Sequence, residues 1–265
     1  TTTLDFGIDI GLFEDRINIE ADYFSRKTTD IIVQLPIPDI MGNLTPPYEN
    51  EGEMINQGFE YNINYNHKSF DGDQLGYNIG LNMTHINNEV TKFRGGDSPD
   101  QLYLIREGYS YRTLYGYKVE GIYQSDAEAE EHMSNNGFKP MAGNLRYEDV
   151  NGDGRLGFED RQDIGNTIPK LTFGVNAGFQ FKGFDLNLLF QGASGVNAFV
   201  QNAFTTMSWE NRMISTSWRD AWSPQNTETD VPILLWNSQW DEEQSSYWVR
   251  DLSYLKLQNA QLGYS

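Results

Sequence analysis

The stretch "LTFGVNAGFQFKGFDLNLLFQ" (171–191) determines the fold class, because apolar residues recur in it at every second position. Residues two apart lie on the same face of a β-strand. Its apolar residues form two such series: Leu171, Phe173, Val175, Ala177, Phe179 and Phe181, then Phe184, Leu186, Leu188 and Phe190. The segment "KGFD" (182–185) between them supplies turn residues. The stretch therefore predicts an antiparallel β-hairpin.

The same unit occurs at two earlier places in the chain. Alternating segments flank the turn "EDR" (14–16), and others flank "DGD" (71–73). A last strand begins near Leu252, and its alternation changes phase at Gln258-Asn259, which predicts a β-bulge. Strands of this kind, without long helical patterns between them, predict an all-β, antiparallel fold.

The connections between these strands alternate between very short and very long. The long segments cover about 26–55, 88–169 and 193–248. Loops of that length are uncommon in a compact soluble domain, whereas short turns at one end and long loops at the other are typical of outer-membrane barrels. We therefore predict a transmembrane β-barrel segment with short periplasmic turns and long extracellular loops. Alternation alone is also consistent with a soluble β-sandwich, in which the apolar face would point inward.

The composition limits the possible partners. The formal net charge of −19 argues against nucleic acid, whose phosphates need basic residues. The chain has no cysteine, so disulfides and thiolate metal sites are excluded. It contains no run of about 18 apolar residues, and its first residues lack the features of a signal peptide. Because both ends lie in strand-like patterns, we expect an incomplete barrel that is part of a longer protein.

The segment "DVNGDGRLGFED" (149–160) has the spacing of a calcium-binding loop. Such a loop places oxygen ligands at positions 1, 3, 5, 7 and 12, with glycine at position 6. Counting from Asp149, the predicted ligands are Asp149, Asn151, Asp153, the carbonyl group of Arg155, and Asp160. Gly154 occupies the sharp turn. We expect a structural Ca²⁺ in a long loop, with the alternative of a solvated Asn/Gly turn.

Tryptophans concentrate in the last long segment, 193–248. They include Trp209, Trp218, Trp222, Trp236 and Trp240. Exposed aromatic rings can stack on sugar rings, which makes Trp236 and Trp240 candidate ligand-binding residues; packing within the loop is the alternative for each tryptophan. The three histidines, His67, His85 and His132, have no nucleophile pattern beside them, and no carboxylate pair has a recognisable acid/base context. The sequence therefore predicts that the chain is not an enzyme.

Four segments together resemble the SusC/RagA-like family of TonB-dependent outer-membrane transporters. They are "YGYKVEGIYQS" (115–125), "AGNLRYEDVNGDGRLGFEDRQDIGN" (142–166), "PKLTFGVNAGFQFKGFDLNLLFQGASG" (169–195) and "YLKLQNAQLGYS" (254–265). The resemblance is clear over about half the chain. One departure is "MAGNL" (141–145), where the family more often has a Pro-Gly-Asp segment.

The resemblance implies that residues 1–265 supply part of the carboxyl-terminal half of a transporter barrel in the cell outer membrane, in contact with its lipid. It implies import of oligosaccharides or peptides together with a SusD-like surface lipoprotein, and energisation by TonB through a plug domain that this chain does not contain. Two alternatives stay open. One is a soluble calcium-dependent β-sandwich that binds carbohydrate or mediates adhesion, and the other is a TonB-dependent receptor for siderophores or vitamins.

Overall fold

The computed structural model describes residues 1–35, 45, 47–67, 74–94, 102–130, 132–134, 137, 139–200, 215–235 and 240–265. The strands are β1 (Thr2–Leu12), β2 (Ile17–Gln34), β3 (Tyr48–His67), β4 (Gly76–Lys92), β5 (Tyr103–Leu104), β6 (Thr113–Tyr117), β7 (Val119–Ile122), β8 (Met133–Ser134), β9 (Leu145–Tyr147), β10 (Arg155–Leu156), β11 (Arg161–Gly165), β12 (Leu171–Phe181), β13 (Phe184–Ser194), β14 (Asn197–Phe199), β15 (Val249–Asp251) and β16 (Tyr254–Tyr264). The helix α1 spans Asp126–Ala129, and short 3₁₀ helices span Phe158–Asp160, Thr216–Asp220 and Ser246–Trp248. No helix in this part of the chain is long and apolar enough to cross a membrane.

One large antiparallel sheet of seven strands organises the chain, in the order β1-β2-β3-β4-β12-β13-β16. Neighbouring strands of the sheet follow each other directly in the chain except at two places. A long connection separates β4 from β12, and another separates β13 from β16. Within the described residues, β1 and β16 each pair on one side only, so the sheet is not closed. This is the all-β, antiparallel, incomplete sheet that the alternation predicts.

Tight turns join the hairpins where the sequence predicts them. Lys182 and Gly183 both have positive φ angles, of 49° and 81°, and Phe181 pairs directly with Phe184 across them. A two-residue turn of this type matches the right-handed twist of the strands it joins. The turn at 13–16 is likewise tight, and the amide of Arg16 donates to the carbonyl of Phe13 at 3.3 Å. The predicted turn at 71–73 lies outside the described residues.

The register gives the sheet one apolar and one polar face. One row of partners across the seven strands is Ile10, Ile19, Ile63, Leu81, Val175, Phe190 and Leu257. The neighbouring row, on the other face, is Asp9, Glu20, Asn62, Asn82, Gly174, Gln191 and Lys256. Along β12 the apolar face runs from Leu171 to Phe181. At ~3.4 Å per residue and a tilt of ~40°, it spans ~26 Å, close to the ~25 Å apolar band of membrane barrels.

The apolar face of the sheet is exposed. Phe6, Leu255 and Leu262 expose 63%, 66% and 71% of their surface. A sandwich would bury such a face against a second sheet, but the described hydrophobic clusters consist of residues from the long connections instead. The arrangement favours a lipid-facing barrel wall over the sandwich.

The structure corrects the first predicted long connection, 26–55. Strand β2 continues to Gln34 and strand β3 begins at Tyr48, so most of this segment is strand. The continuation carries charged and polar residues on its outward face, including the ion pair between Lys27 and Glu53 at 2.7 Å. Apolar alternation therefore stops while the backbone ladder continues. For the same reason β4 extends to Lys92, into the predicted segment 88–169.

The predicted β-bulge near the carboxyl end is confirmed. Leu189 pairs with Asn259, and the next residue, Phe190, pairs with Leu257. Gln258 is therefore the extra residue, and the bulge returns the apolar residues on both sides of it to the same face.

Candidate functional site

The two long connections fold against each other into one unit, which we call the cap: the described residues within 102–165 and 215–251. Its larger core contains Tyr117, Ile122, Tyr123, Ala129, Leu145, Tyr147, Leu156, Trp222 and Trp240. A smaller cluster contains Trp218 and Trp248. The larger core draws on short strands and the smaller one on the 3₁₀ helices Thr216–Asp220 and Ser246–Trp248, so these connections have a defined structure of their own.

The first half of the loop 149–160 wraps around the carboxylate of Asp149. Its two oxygens accept hydrogen bonds from the amides of Gly152 and Gly154, both at 2.8 Å. Asn151 and Asp153 each accept from the amide two residues further along, at 2.9 and 2.7 Å. Gly152 and Gly154 have φ angles of +73°, which side chains other than hydrogen rarely allow. Gly154 thus occupies the sharp turn that the calcium pattern predicts.

The second half of the loop closes on Asp160. This side chain is fully buried, and its two oxygens accept from the amides of Val150 at 3.0 Å and Gly157 at 2.7 Å. It therefore ties the start of the loop to the 3₁₀ helix Phe158–Asp160. A buried carboxylate without such donors would be costly, so the position of Asp160 depends on this closed loop.

The loop keeps Asp149 in the charged form that a cation requires. Burial raises the pKa of this carboxyl. A larger combined effect in the other direction comes from the amides of Gly154, Gly152 and Asp153 and from the nearby His132, so the pKa lies below its usual range. This charged carboxylate is the first of the predicted calcium ligands.

The predicted ligand set fits calcium in its chemistry. Each oxygen of Asp149 and Asp160 has one described amide donor, and a carboxylate oxygen has two lone pairs. Calcium prefers carboxylate, amide and carbonyl oxygens, which Asp153, Asn151 and Arg155 complete. Among the described residues, no three histidine, aspartate or glutamate side chains converge into a metal-holding group. Asp149, Asp153 and Asp160 thus do not form such a group in this structure.

The tryptophans of the second connection are mostly core residues. Trp240 is only 6% exposed, its ring lies 5.7 Å from that of Tyr147, and its indole N–H donates to the carbonyl of Leu145 at 2.7 Å. Trp222 is also buried and donates to the side chain of Gln124 at 3.1 Å. The burial of Trp240 agrees with the packing alternative. Trp209 and Trp236 lie outside the described residues.

Asp241 joins the two connections, and no sequence pattern identified it as a functional residue. Its carboxylate is 4% exposed and accepts from the side-chain amide of Asn144 at 2.6 Å and from the backbone of Leu145 at 2.8 Å. These partners are 97 and 96 residues away in sequence. No local pattern marks such a contact, although the position of Asp241 directly after a tryptophan in a long loop is a weak signal.

The polar face of the sheet forms a wall of amide and carboxylate groups. Asn62 donates to Glu20 at 2.8 Å, and Asn64 donates to Asn62 at 3.0 Å. Asp9 pairs directly with Glu20 across β1 and β2. These side chains can offer hydrogen bonds to a polar solute or to polypeptide on this face.

Comparison with known proteins identifies the architecture. A family model described as "TonB dependent receptor-like, beta-barrel" matches residues 1–264. TonB-dependent receptor P3 of Formosa agariphila is 29% identical over 273 residues, which cover 99% of this chain and 26% of the relative. TonB-dependent receptor SusC of Bacteroides thetaiotaomicron is 27% identical over 283 residues, which cover 100% of this chain and 26% of the relative. The chain thus spans about a quarter of the length of these relatives.

Solved structures share the same fold. The RagAB peptide transporter superposes with a TM-score of 0.75 at 23% identity, over 99% of this chain and 28% of that chain. The RagAB peptide importer in its 'open-open' state gives the same TM-score and identity. These matches confirm the predicted resemblance and the predicted barrel fold. The named relatives are receptors and not enzymes, as the sequence predicts.

Proposed function

The chain belongs to the TonB-dependent receptor-like β-barrel family, and from that membership we propose that it is part of a SusC/RagA-like transporter that imports nutrients across the outer membrane. The observation that carries this proposal is the sheet itself. Its apolar face is exposed over the thickness of a membrane, and its opposite face is polar. A barrel wall with lipid outside and a wet interior has this distribution.

We propose that the cap lies on the extracellular side and the tight turns on the periplasmic side. Outer-membrane barrels have short periplasmic turns and long extracellular loops. The turns at 13–16 and 182–183 are at one end of the strands, and the connections that form the cap leave from the other. The domain organisation follows: a barrel segment over 1–265, with loop regions at 88–169 and 193–248.

The cargo that we propose is a peptide or an oligosaccharide. The polar wall carries amides and carboxylates, which bind hydroxyl and peptide groups by hydrogen bonds. The similarity to SusC and to RagAB, a peptide transporter by name, supports the same class. A SusD-like lipoprotein would act at the cap, and TonB would act through a plug domain encoded outside these residues.

Uptake by cells tests the cargo. A strain that carries the full-length transporter should accumulate labelled peptides or oligosaccharides, and a matched deletion strain should not. Collapse of the proton-motive force should abolish uptake, because TonB depends on it. Accumulation of an iron-siderophore complex or a vitamin, without peptide or glycan uptake, would instead support the alternative receptor class.

We further propose that Ca²⁺ binds the loop 149–160 and stabilises the cap. Asp149, Asn151, Asp153, the carbonyl of Arg155 and Asp160 would hold the ion, which would neutralise three carboxylates. Loops of extracellular modules bind calcium with a dissociation constant of about 10⁻⁴–10⁻³ M. Calorimetry on the full-length protein should detect one such site, and Asp153→Ala should remove it. Equal calcium binding by the wild type and the variant would refute the proposal.

A further inference from the structure

A short segment of the second connection contacts both ends of the loop 149–160. We call this segment, 240–248, the clasp. At the start of the loop, Tyr147 lies two residues before Asp149, and its hydroxyl donates to the carbonyl of Trp240 at 2.7 Å. The same two aromatic rings are 5.7 Å apart. The entry of the loop is therefore packed directly on the clasp.

The exit of the loop contacts the clasp through a buried cation. Arg161 follows Asp160 immediately and is 8% exposed. Its guanidinium lies 3.7 Å from the carboxylate of Glu243 and 5.0 Å from the ring of Tyr117. A buried arginine needs such partners because an unpaired buried charge is costly. Arg161, whose backbone pairs with Tyr117 on β6, therefore joins the exit of the loop to the clasp through Glu243.

The clasp is also joined to the rest of the cap. The carboxylate of Asp241 accepts from Asn144 and Leu145. The amide of Tyr117 donates to the carbonyl of Gln244 at 2.8 Å, and the amide of Val119 donates to the hydroxyl of Ser246 at 2.9 Å. The clasp thus connects the loop to the strands β6, β7 and β9 in a single network.

Little free space separates the loop from the clasp. The cavity between them is about 10 Å³ in volume, with Asp149, Arg155 and Leu156 on one side and Trp240 on another. A volume of this size holds about one water molecule. Asp149 of the loop and Trp240 of the clasp line this cavity together, and Leu156 and Trp240 belong to the same hydrophobic core.

We propose that the clasp couples calcium binding at 149–160 to the order of the whole cap. The inference rests on the calcium site proposed above. An ion held by Asp149 and Asp160 fixes the separation of the two loop ends, and both ends contact the clasp. Calcium therefore orders the clasp, and by thermodynamic reciprocity an intact clasp strengthens calcium binding by the same factor.

The test uses the full-length protein in detergent, with two measurements that do not involve cargo. Terbium luminescence, sensitised by the aromatic rings beside the loop, reports ion binding and is reversed by calcium. Hydrogen exchange with and without calcium reports the order of residues 240–248. We expect calcium to slow exchange of the clasp amides by about 5–150-fold, the usual range of coupling between sites.

Three variants separate the coupling from a general loss of structure. Glu243→Gln should weaken terbium and calcium binding by at least about fivefold, although it changes no predicted ligand. Glu228→Gln removes the same charge at an exposed position in the same connection and should leave affinity unchanged. Trp240→Phe keeps an aromatic ring and removes the donor to Leu145; it should act like Glu243→Gln. Near-ultraviolet circular dichroism identifies any variant that fails to fold.

Two results would overturn the coupling but not the calcium site. One is wild-type ion affinity in both Glu243→Gln and Trp240→Phe. The other is ion binding that leaves exchange of the clasp unchanged. Absence of any terbium signal in the wild type would refute the calcium site and the coupling together. In none of these cases is the transporter proposal affected, because it is tested by uptake alone.

Discussion

Substitution of Val175 by arginine tests directly whether the apolar face of the sheet contacts lipid. Val175 lies on β12 in the apolar row and is four residues from Leu171 and six from Phe181. At ~3.4 Å per residue and a tilt of ~40°, these separations are ~10 and ~16 Å along the membrane normal. Val175 is therefore within ~3 Å of the centre of the apolar band. An arginine there has no water to solvate its charge.

The expected loss is large. Arginine on the lipid face at the bilayer midplane destabilises a barrel by ~2–4 kcal/mol, and near the interface by ~0–1 kcal/mol. The first value lowers the folding equilibrium constant about 30- to 700-fold, since ~1.4 kcal/mol corresponds to a factor of ten. Leu171→Arg, at the edge of the band, should cost no more than ~1 kcal/mol. A larger loss of folding free energy at Val175 than at Leu171 is the result that a membrane-spanning strand would give.

Thr84→Arg is the control on the polar face, at about the depth of Leu171. Thr84 pairs with Glu60 on β3 and Thr172 on β12, so the new charge would point into a polar environment beside a carboxylate. We expect a change within ~0.5 kcal/mol. Urea unfolding of the full-length protein in lipid vesicles measures all three variants. If Val175→Arg costs no more than Thr84→Arg, the assignment of the faces is wrong.

Three further perturbations test the packing and electrostatics of the chain. Gly58→Ala should destabilise the sheet by about 1–3 kcal/mol in the same unfolding assay, because a β-carbon there would collide with the backbone carbonyl of His85. Asp241→Ala should increase hydrogen exchange across the cap, because each buried donor that it leaves unsatisfied at 144–145 lowers the stability of the cap by ~1–3 kcal/mol. Asp241→Asn should partly restore protection. A backbone hydrogen bond and an ion pair hold the pKa of Glu128 below its usual range, so its contribution is complete above its ordinary pKa and is lost as the pH falls below about 4.5. The thermal stability of the cap should then decrease in acid for the wild type, and Glu128→Gln should reduce that dependence.

The sheet could be predicted from the sequence because its signal is local. Alternation with a period of two shows on which face each residue lies, and turn residues mark where strands reverse. Even the bulge at Gln258 is visible as a change of phase. The ends of the strands were not predictable. The part of β2 after Tyr23 and the part of β3 that pairs with it carry polar residues on both faces. There the backbone ladder continues without an apolar pattern.

The interior of the cap could not be predicted because its contacts are not local. Asp241 and Asn144 are separated by 97 residues, and neither lies in a periodic segment. The spacing of the loop 149–160 identified the correct turn at Gly154 but not the role of Asp160 as a buried partner of two amides. For Trp240, residue type alone could not separate a ligand platform from a core residue. Trp240 is buried in the structure, and its burial depends on the other connection.

On the proposed membrane location, the sheet and the cap face different solvents, and each removes its apolar groups from water in its own way. In that location the sheet gives its apolar residues to lipid, and neither hydrophobic cluster of the described residues is built from it. So acidic a chain could lie in a membrane because each strand contributes only every second residue to the apolar face. The cap stands in water and needs an internal core, which its tryptophans and tyrosines supply. The two parts meet at Asn88 on β4, whose side chain accepts from the amide of Tyr111 at 2.6 Å. A change in the cap should thus alter exchange and ion binding without shifting the cost of a lipid-facing charge.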